Sequence, residues 1–176
     1  DLTGNALTLS VWMLWESYVS WDRIISKEGA SYIGYSLYGR DTGGLTFRMN
    51  LTISGDSMLS YTNPIGYNKW HNIIGTYDGG YMNLYLDGNK ILGPTAKTGN
   101  LQSSGTNLNI GKNSNASGNY FNGIIDDVRI YNQAVSFSQI QENYYSGLNR
   151  LFSNNNVNKE EFIERLSFIK SSISEN

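Results

Sequence analysis

The chain carries 15 acidic side chains and a single histidine, and any hydrolytic or acid–base chemistry must be built from them. Retaining glycoside hydrolysis needs two carboxyl groups roughly 5–5.5 Å apart. On a strand, that spacing comes from an i, i+2 pair, because alternation returns every second side chain to one face. No Asp or Glu in a stretch that reads as strand has such a partner. Asp126 and Asp127 are adjacent, so a regular strand points them to opposite faces. His71 stands alone, Cys is absent and no Gly-x-Ser-x-Gly turn occurs, so neither a thiol nucleophile nor a nucleophile elbow is available. These patterns predict a protein that is not an enzyme, with His71 as a structural or surface residue.

Binding chemistry has better candidates. Trp15, Tyr18 and Trp21 cluster in the segment 15–22, between two stretches that read as strands. Aromatic rings at that density suit stacking on the C–H face of a sugar. The alternative is that the rings fold back and plug one end of the core. A second candidate is the segment 112–120, in which Asn113, Asn115, Asn119 and Tyr120 offer amide and phenol groups to a hydroxylated ligand. Its alternative is an ordinary solvated loop.

Composition narrows the partners. Lys and Arg number 13 against 15 Asp and Glu, a formal charge of −2, and no basic stripe interrupts the pattern. Without such a stripe, neither nucleic acid nor an anionic membrane surface is an expected partner. No apolar run approaches the roughly 18 residues that a membrane-spanning helix requires. Residues 1–5 do not read as a signal peptide, and the chain opens almost directly on a strand. That start is expected of a processed product or an excised piece.

The elements that must position these residues are mainly strands. Tyr (13), Gly (19) and abundant Ser, Thr and Asn suit short strands joined by tight turns. Leu7 to Leu14 becomes apolar on both parities toward its end, as in a strand packed on two sides. Further strands are expected at 23–27, 32–38, 45–53, 70–77, 81–86, 108–111 and 123–131. Asp41 to Gly44, Ser54-Gly55-Asp56 and Asp78-Gly79-Gly80 supply turns, and Asp87-Gly88 predicts a type I′ hairpin. After Tyr131 the period changes. Ser136 with Gln139 starts a helix that Gly147 is expected to end. Asn158 with Glu161 starts a second, whose Phe162, Ile163, Leu166, Ile169 and Ile173 form a stripe needing an apolar surface from this chain or another.

Three segments, in order and spacing, resemble the laminin-G-like jelly roll of the concanavalin A-like lectin and glucanase superfamily. They are Leu7 to Trp12; Trp70 to Gly79 followed by Leu84 to Gly88; and Leu108 to Gly111 with Phe121 to Tyr131. Ala134 to Ser136 with Gln139-Ile140 match the short helix that closes such domains. The resemblance implies an all-β fold, a two-sheet antiparallel jelly-roll sandwich over residues 1–147. A linker and amphipathic helical tail would occupy 148–176. The family's opening strand precedes the position of Leu7, so an open sheet edge is expected. The Glu-x-Asp-x-x-Glu run of the family's β-glucanases is absent. In calcium-binding members, a carboxylate placed like Asp126 joins backbone carbonyls around a structural Ca²⁺; the alternative is that Asp126 and Asp127 bond turn amides or pair with Arg129. For function, the resemblance implies a non-catalytic recognition or adhesion module on a bacterial cell surface, binding a glycan or a surface protein through loops at one end of the sandwich. The alternative is a structural subunit of a type IV pilus-like assembly, self-associating through the helical tail or the open edge. A glycoside hydrolase ranks third.

Overall fold

A computed structural model describes residues 2–17 and 21–174, with side chains through Ser167. Alternation builds ten strands: β1 (Leu7–Trp15), β2 (Arg23–Glu28), β3 (Gly34–Gly39), β4 (Leu45–Leu51), β5 (Gly55–Tyr61), β6 (Trp70–Tyr77), β7 (Tyr81–Leu86), β8 (Asn89–Ala96), β9 (Asn109–Ile110) and β10 (Gly123–Tyr131). They form two antiparallel sheets in the orders β10-β1-β6-β7-β8 and β5-β4-β3-β2-β9. Between the sheets lies one apolar core. Leu7, Leu9, Val11 and Met13 of β1, Leu37 of β3, Phe47 of β4 and Ile73 of β6 are all fully buried in it. This is the all-β sandwich that the strand pattern predicts, with the jelly-roll architecture that the resemblance implies.

Several local signals work as chemistry requires. Asp87 and Gly88 both take positive φ, +50° and +78°, and close the β7–β8 hairpin. The Ser54–Asp56 turn is displaced: the chain reverses over 52–54, and Gly55 at φ +64° already begins β5. β1 is not exposed as an edge, because β10 and β6 flank it. The outer strands are β10 and β8 in one sheet, β5 and β9 in the other. Leu108, Ile110 and Ile124 are half-exposed beside the β9 and β10 edges.

The helical tail lies on the first sheet. Ser136 Oγ accepts a hydrogen bond from the Gln139 amide and starts α1 (Phe137–Ser153). Gly147 does not end this helix as expected; it lies inside it, where a Cβ would stand 2.2 Å from Trp12 Nε1. Its missing side chain lets the Trp12 indole reach the helix and stack on Tyr144, with centroids 5.5 Å apart. Trp12 is the second-face residue of β1 that its double-parity pattern predicts, and it joins Trp70, Leu148 and Leu151 in a second buried cluster. Asn158 Oδ1 accepts from the Glu161 amide at the start of α2 (Lys159–Ser174). Phe162 and Leu166 pack on the same cluster, and Arg165 donates to the Trp70 carbonyl at 2.7 Å. Ile163 faces outward, and the side chains of Ile169 and Ile173 are outside the described set. Among the described residues, no helix is long and apolar enough to cross a membrane.

Two outcomes test this packing. Gly147→Val should destabilise the protein by about 1–3 kcal/mol through overpacking against Trp12, read from urea unfolding. Burial raises the phenol pKa of Tyr35, Tyr38, Tyr85 and Tyr144 above the ordinary value. Above pH about 10 the unfolded chain ionises these phenols, and the folded chain does so only at higher pH. Stability should therefore be insensitive to them below pH about 10 and fall as pH rises above it. Unfolding midpoints at pH 9 and 11 measure this, with the rise in absorbance at 295 nm on unfolding at pH 11 reporting the phenolates released from burial.

Candidate ligand-binding site

In β2 to β4, the positions opposite the core are polar, and many are nonetheless inaccessible. Arg23, Ser26 and Glu28 of β2, Ser36 and Tyr38 of β3, and Thr46 and Arg48 of β4 are all buried on the outer face of their sheet. Burying such groups requires partners for every donor and acceptor. Glu28, 1% exposed, supplies the central one. Its carboxylate accepts from Arg23 Nη2 at 3.0 Å and from Ser36 Oγ at 2.7 Å. The Arg23 guanidinium lies 4.1 Å from the centre of the Tyr38 ring and donates to the Trp21 carbonyl at 3.0 Å. Beside it, Arg48 grips Asp56 through two hydrogen bonds and lies 3.4 Å over the Tyr32 ring. Burial opposes the charge on Arg48, but its bonds to Asp56 outweigh burial and raise its pKa.

The same strand holds the loop above it. Ser114 Oγ accepts from the Glu28 amide at 2.6 Å and donates to the Glu28 carbonyl at 2.8 Å, and it also bonds Ser26 Oγ. Asn119, at φ +52°, accepts through its carbonyl from the Arg23 amide. Segment 112–120 is thereby fastened across the sheet, with Asn113 Nδ2 donating to Asn119 Oδ1 at 3.3 Å. A pocket of about 370 Å³ results, with Arg23, Tyr38 and Arg48 along its base. Trp21, Tyr32, Arg40, Met58, Asn113 and Asn119 surround it. Trp21 and Tyr32 are 42% and 48% exposed, which leaves ring surface for a ligand.

A larger cavity of about 900 Å³ lies under α2, lined among others by His71, Asp87, Tyr144 and Arg165. Several of its polar groups bond one another: His71 Nδ1 is 2.8 Å from Asp87, and Arg165 bonds Glu161 and the Trp70 carbonyl. His71 is 7% exposed and acts as a structural partner for Asp87, whose other oxygen accepts from the Asn72 amide.

The predicted residues divide. Trp21, Asn113 and Asn119 meet in the smaller pocket, although they come from segments about 90 residues apart in the chain. Tyr120 is 61% exposed next to it, and Asn115, exposed, donates its amide to Asn113 Oδ1 without lining the pocket. Trp15 is not presented to a ligand: it is 1% exposed, its Nε1 donates to Asp22 at 2.7 Å, and it stacks on Phe121. For Trp15, the core-plug alternative is the one that holds. Tyr18 lies outside the described residues. The pocket sits on a sheet face with loops at its rim, not at an end of the sandwich. The rest of the pocket, Arg23, Tyr32, Tyr38, Arg40, Arg48 and Met58, was missed. Its signal was present in the polar parity of β2 to β4, opposite their apolar parity.

Asp126 and Asp127 are not directed to opposite faces. A bulge against Ser10 and Trp12, with Asp127 at φ +49°, breaks the alternation, and both carboxylates reach Arg150 of α1, at 3.1 and 3.5 Å. Asp126 also accepts the Asp127 amide, and Asp127 is gripped twice by Arg129. This donor set does not fit Ca²⁺, because two guanidinium groups occupy the oxygens that the ion would need. Among the described residues, no cluster of three or more acidic, His or Cys side chains could hold a metal.

Comparison with known proteins agrees with the architecture. A family model described as the concanavalin A-like lectin/glucanases superfamily matches residues 1–141. A comparison with curated proteins by sequence finds no match. Among solved structures, a protein from Bacteroides ovatus described as carbohydrate-binding superposes with a TM-score of 0.65 at 18% identity, covering 80% of this chain and 41% of its own. Domain 4 of an extracellular arabinanase from Geobacillus stearothermophilus, solved with arabinotriose, gives 0.59 at 17% identity, covering 80% and 66%. The binding domain of botulinum neurotoxin serotype G gives 0.61 at 14% identity, covering 82% and 37%. The chain thus spans about two-fifths of the first of these and two-thirds or less of the others.

Removing the Glu28 carboxylate leaves Arg23 buried without its counter-charge. Glu28→Ala should therefore cost about 3–5 kcal/mol in urea unfolding. A loss below about 1 kcal/mol would show that the ion pair does not organise this face.

Proposed function

The chain belongs to the concanavalin A-like lectin/glucanase superfamily, and from that premise we propose that it is a non-catalytic binding module that holds a glycan in the pocket between Trp21 and Tyr32. One observation carries this reading. Two half-exposed rings border a pocket of about 370 Å³ whose other walls include the guanidinium groups of Arg23 and Arg48 and the amide of Asn113, each held by hydrogen bonds. That is within the size range of small-ligand sites. A sugar needs an apolar surface for its C–H face and convergent hydrogen-bonding groups for its hydroxyls, and both are present.

The carboxylates support binding over hydrolysis. Glu28 and Asp56, on the strands that build this face, are each held by an arginine, and Asp126 and Asp127 are held by two more elsewhere. The solved structures named above are a carbohydrate-binding protein, a domain holding arabinotriose and a toxin binding domain, which agrees with a recognition role. One of those structures is a domain of an extracellular enzyme, and we assign this module the same setting.

Isothermal titration against panels of plant, host and bacterial cell-wall oligosaccharides tests the reading, with Trp21→Ala and Tyr32→Ala beside the wild type. Each substitution should weaken a bound glycan by roughly 2- to 12-fold, the equivalent of about 0.5–1.5 kcal/mol of lost ring contact. Circular dichroism should show both variants folded. Silence across the panels, or binding that neither substitution alters, overturns the assignment.

A further inference from the structure

The pocket's charges do not balance. Three guanidinium groups line it, those of Arg23, Arg40 and Arg48. Arg23 is matched by Glu28 and Arg48 by Asp56. The described residues give Arg40 no carboxylate; its side chain instead lies 5.5 Å from the centre of the Trp21 ring. Its Nε is buried without a hydrogen-bond acceptor. Trp21, Tyr32, Tyr38, Met58, Asn113 and Asn119, which complete the lining, bring no negative charge.

A buried donor left unmatched is costly, and one surplus cation in a semi-enclosed site draws an anion more strongly than the same charge in open water. Arginine's two Nη groups form a planar fork that fits the two oxygens of a carboxylate. The Arg40 guanidinium and the half-exposed Trp21 ring are neighbours, 5.5 Å apart. A sugar stacked on the ring can therefore present an acidic substituent to the guanidinium.

We infer that the sugar bound here carries a carboxylate and that Arg40 receives it; this rests on the glycan-binding reading of the same pocket. Uronic acids and sialic acids share the required group. Arg40 is the specificity residue, and the Glu28–Arg23 and Arg48–Asp56 pairs serve to keep the other two guanidinium groups from competing for the anion.

The test is titration of the folded chain with oligogalacturonate, its methyl ester, sialyllactose, lactose and a sulfated galactan. At least one carboxylated sugar should bind tenfold or more tightly than its neutral counterpart, and raising salt from 50 to 300 mM should narrow that margin. Which acid binds distinguishes uronate from sialate. Arg40→Gln should bring the ratio of acid to neutral affinity close to one, and Arg40→Lys should restore only part of it. Equal affinity of the wild type for acid and neutral forms overturns the carboxylate inference while leaving glycan binding in place. So does preference for the sulfated galactan over both carboxylated sugars. Binding of acidic sugars that Trp21→Ala and Arg40→Gln both leave untouched overturns the inference together with the pocket itself.

Discussion

Most of the candidate site depends on a single buried ion pair. Glu28 is an acceptor for Arg23 and Ser36 through its side chain, and its backbone amide and carbonyl both engage Ser114. One residue of β2 thus sets the base of the pocket and fastens the loop that forms its wall. A buried pair gains little net stability over well-packed apolar residues, because desolvation offsets its attraction. What it contributes here is position. Arg23 can only lie over Tyr38 and reach the Trp21 carbonyl if Glu28 holds its other edge.

The two outer faces of the sandwich are used differently, and the difference follows from side-chain chemistry. On the first sheet, Trp12, Trp70, Ile74 and Tyr85 leave an apolar outer face, which must be covered. Helix α1 and the first turns of α2 cover it, and Gly147 admits Trp12 closely enough to stack on Tyr144. Each Leu buried there, such as Leu148 and Leu151, is worth about 1.5–3 kcal/mol of apolar transfer. On the second sheet the outer face is mostly polar, and all but a few of its groups are matched to one another, so loops suffice to cover it. The space they leave is the pocket.

Features determined by neighbouring residues were legible in the sequence. β6, β7 and β10 have the limits that their alternation and flanking turns predict, and the caps at Ser136 and Asn158 make the expected hydrogen bonds. Features determined by distant contacts were not. Gly147 looks like a helix terminator until Trp12 is known to lie against it. The bulge at Asp127 carries no local signature, yet it overturns the face assignment of both carboxylates. In the site, Trp21, Asn113 and Asn119 stood out because rings and amides are conspicuous in loops. Arg23, Arg40 and Arg48 did not, since an arginine in or beside a strand reads as solvated until a sheet partner and a covering loop enclose it. Trp15 and Trp21 belong to the same segment, and only the packing of Trp15 against Phe121 and Asp22 separates a core ring from a surface one.

The arrangement of charge also bears on the proposal that this chain binds a ligand without cleaving it. A retaining hydrolase needs one carboxylate free to attack and another carrying a proton, in reach of the same bond. Here the acidic groups on the polar sheet face are locked to guanidinium groups by short bonds, Glu28 to Arg23 and Asp56 to Arg48. The groups turned toward the open space are hydrogen-bond donors, amides and rings. Among the residues that line the pocket none is a carboxylate, so under the proposed reading the lining serves the ground state of a hydroxylated or acidic ligand. Uniform binding of that kind gives affinity without acceleration, and the same two ion pairs that shape the pocket hold the neighbouring acids to arginines.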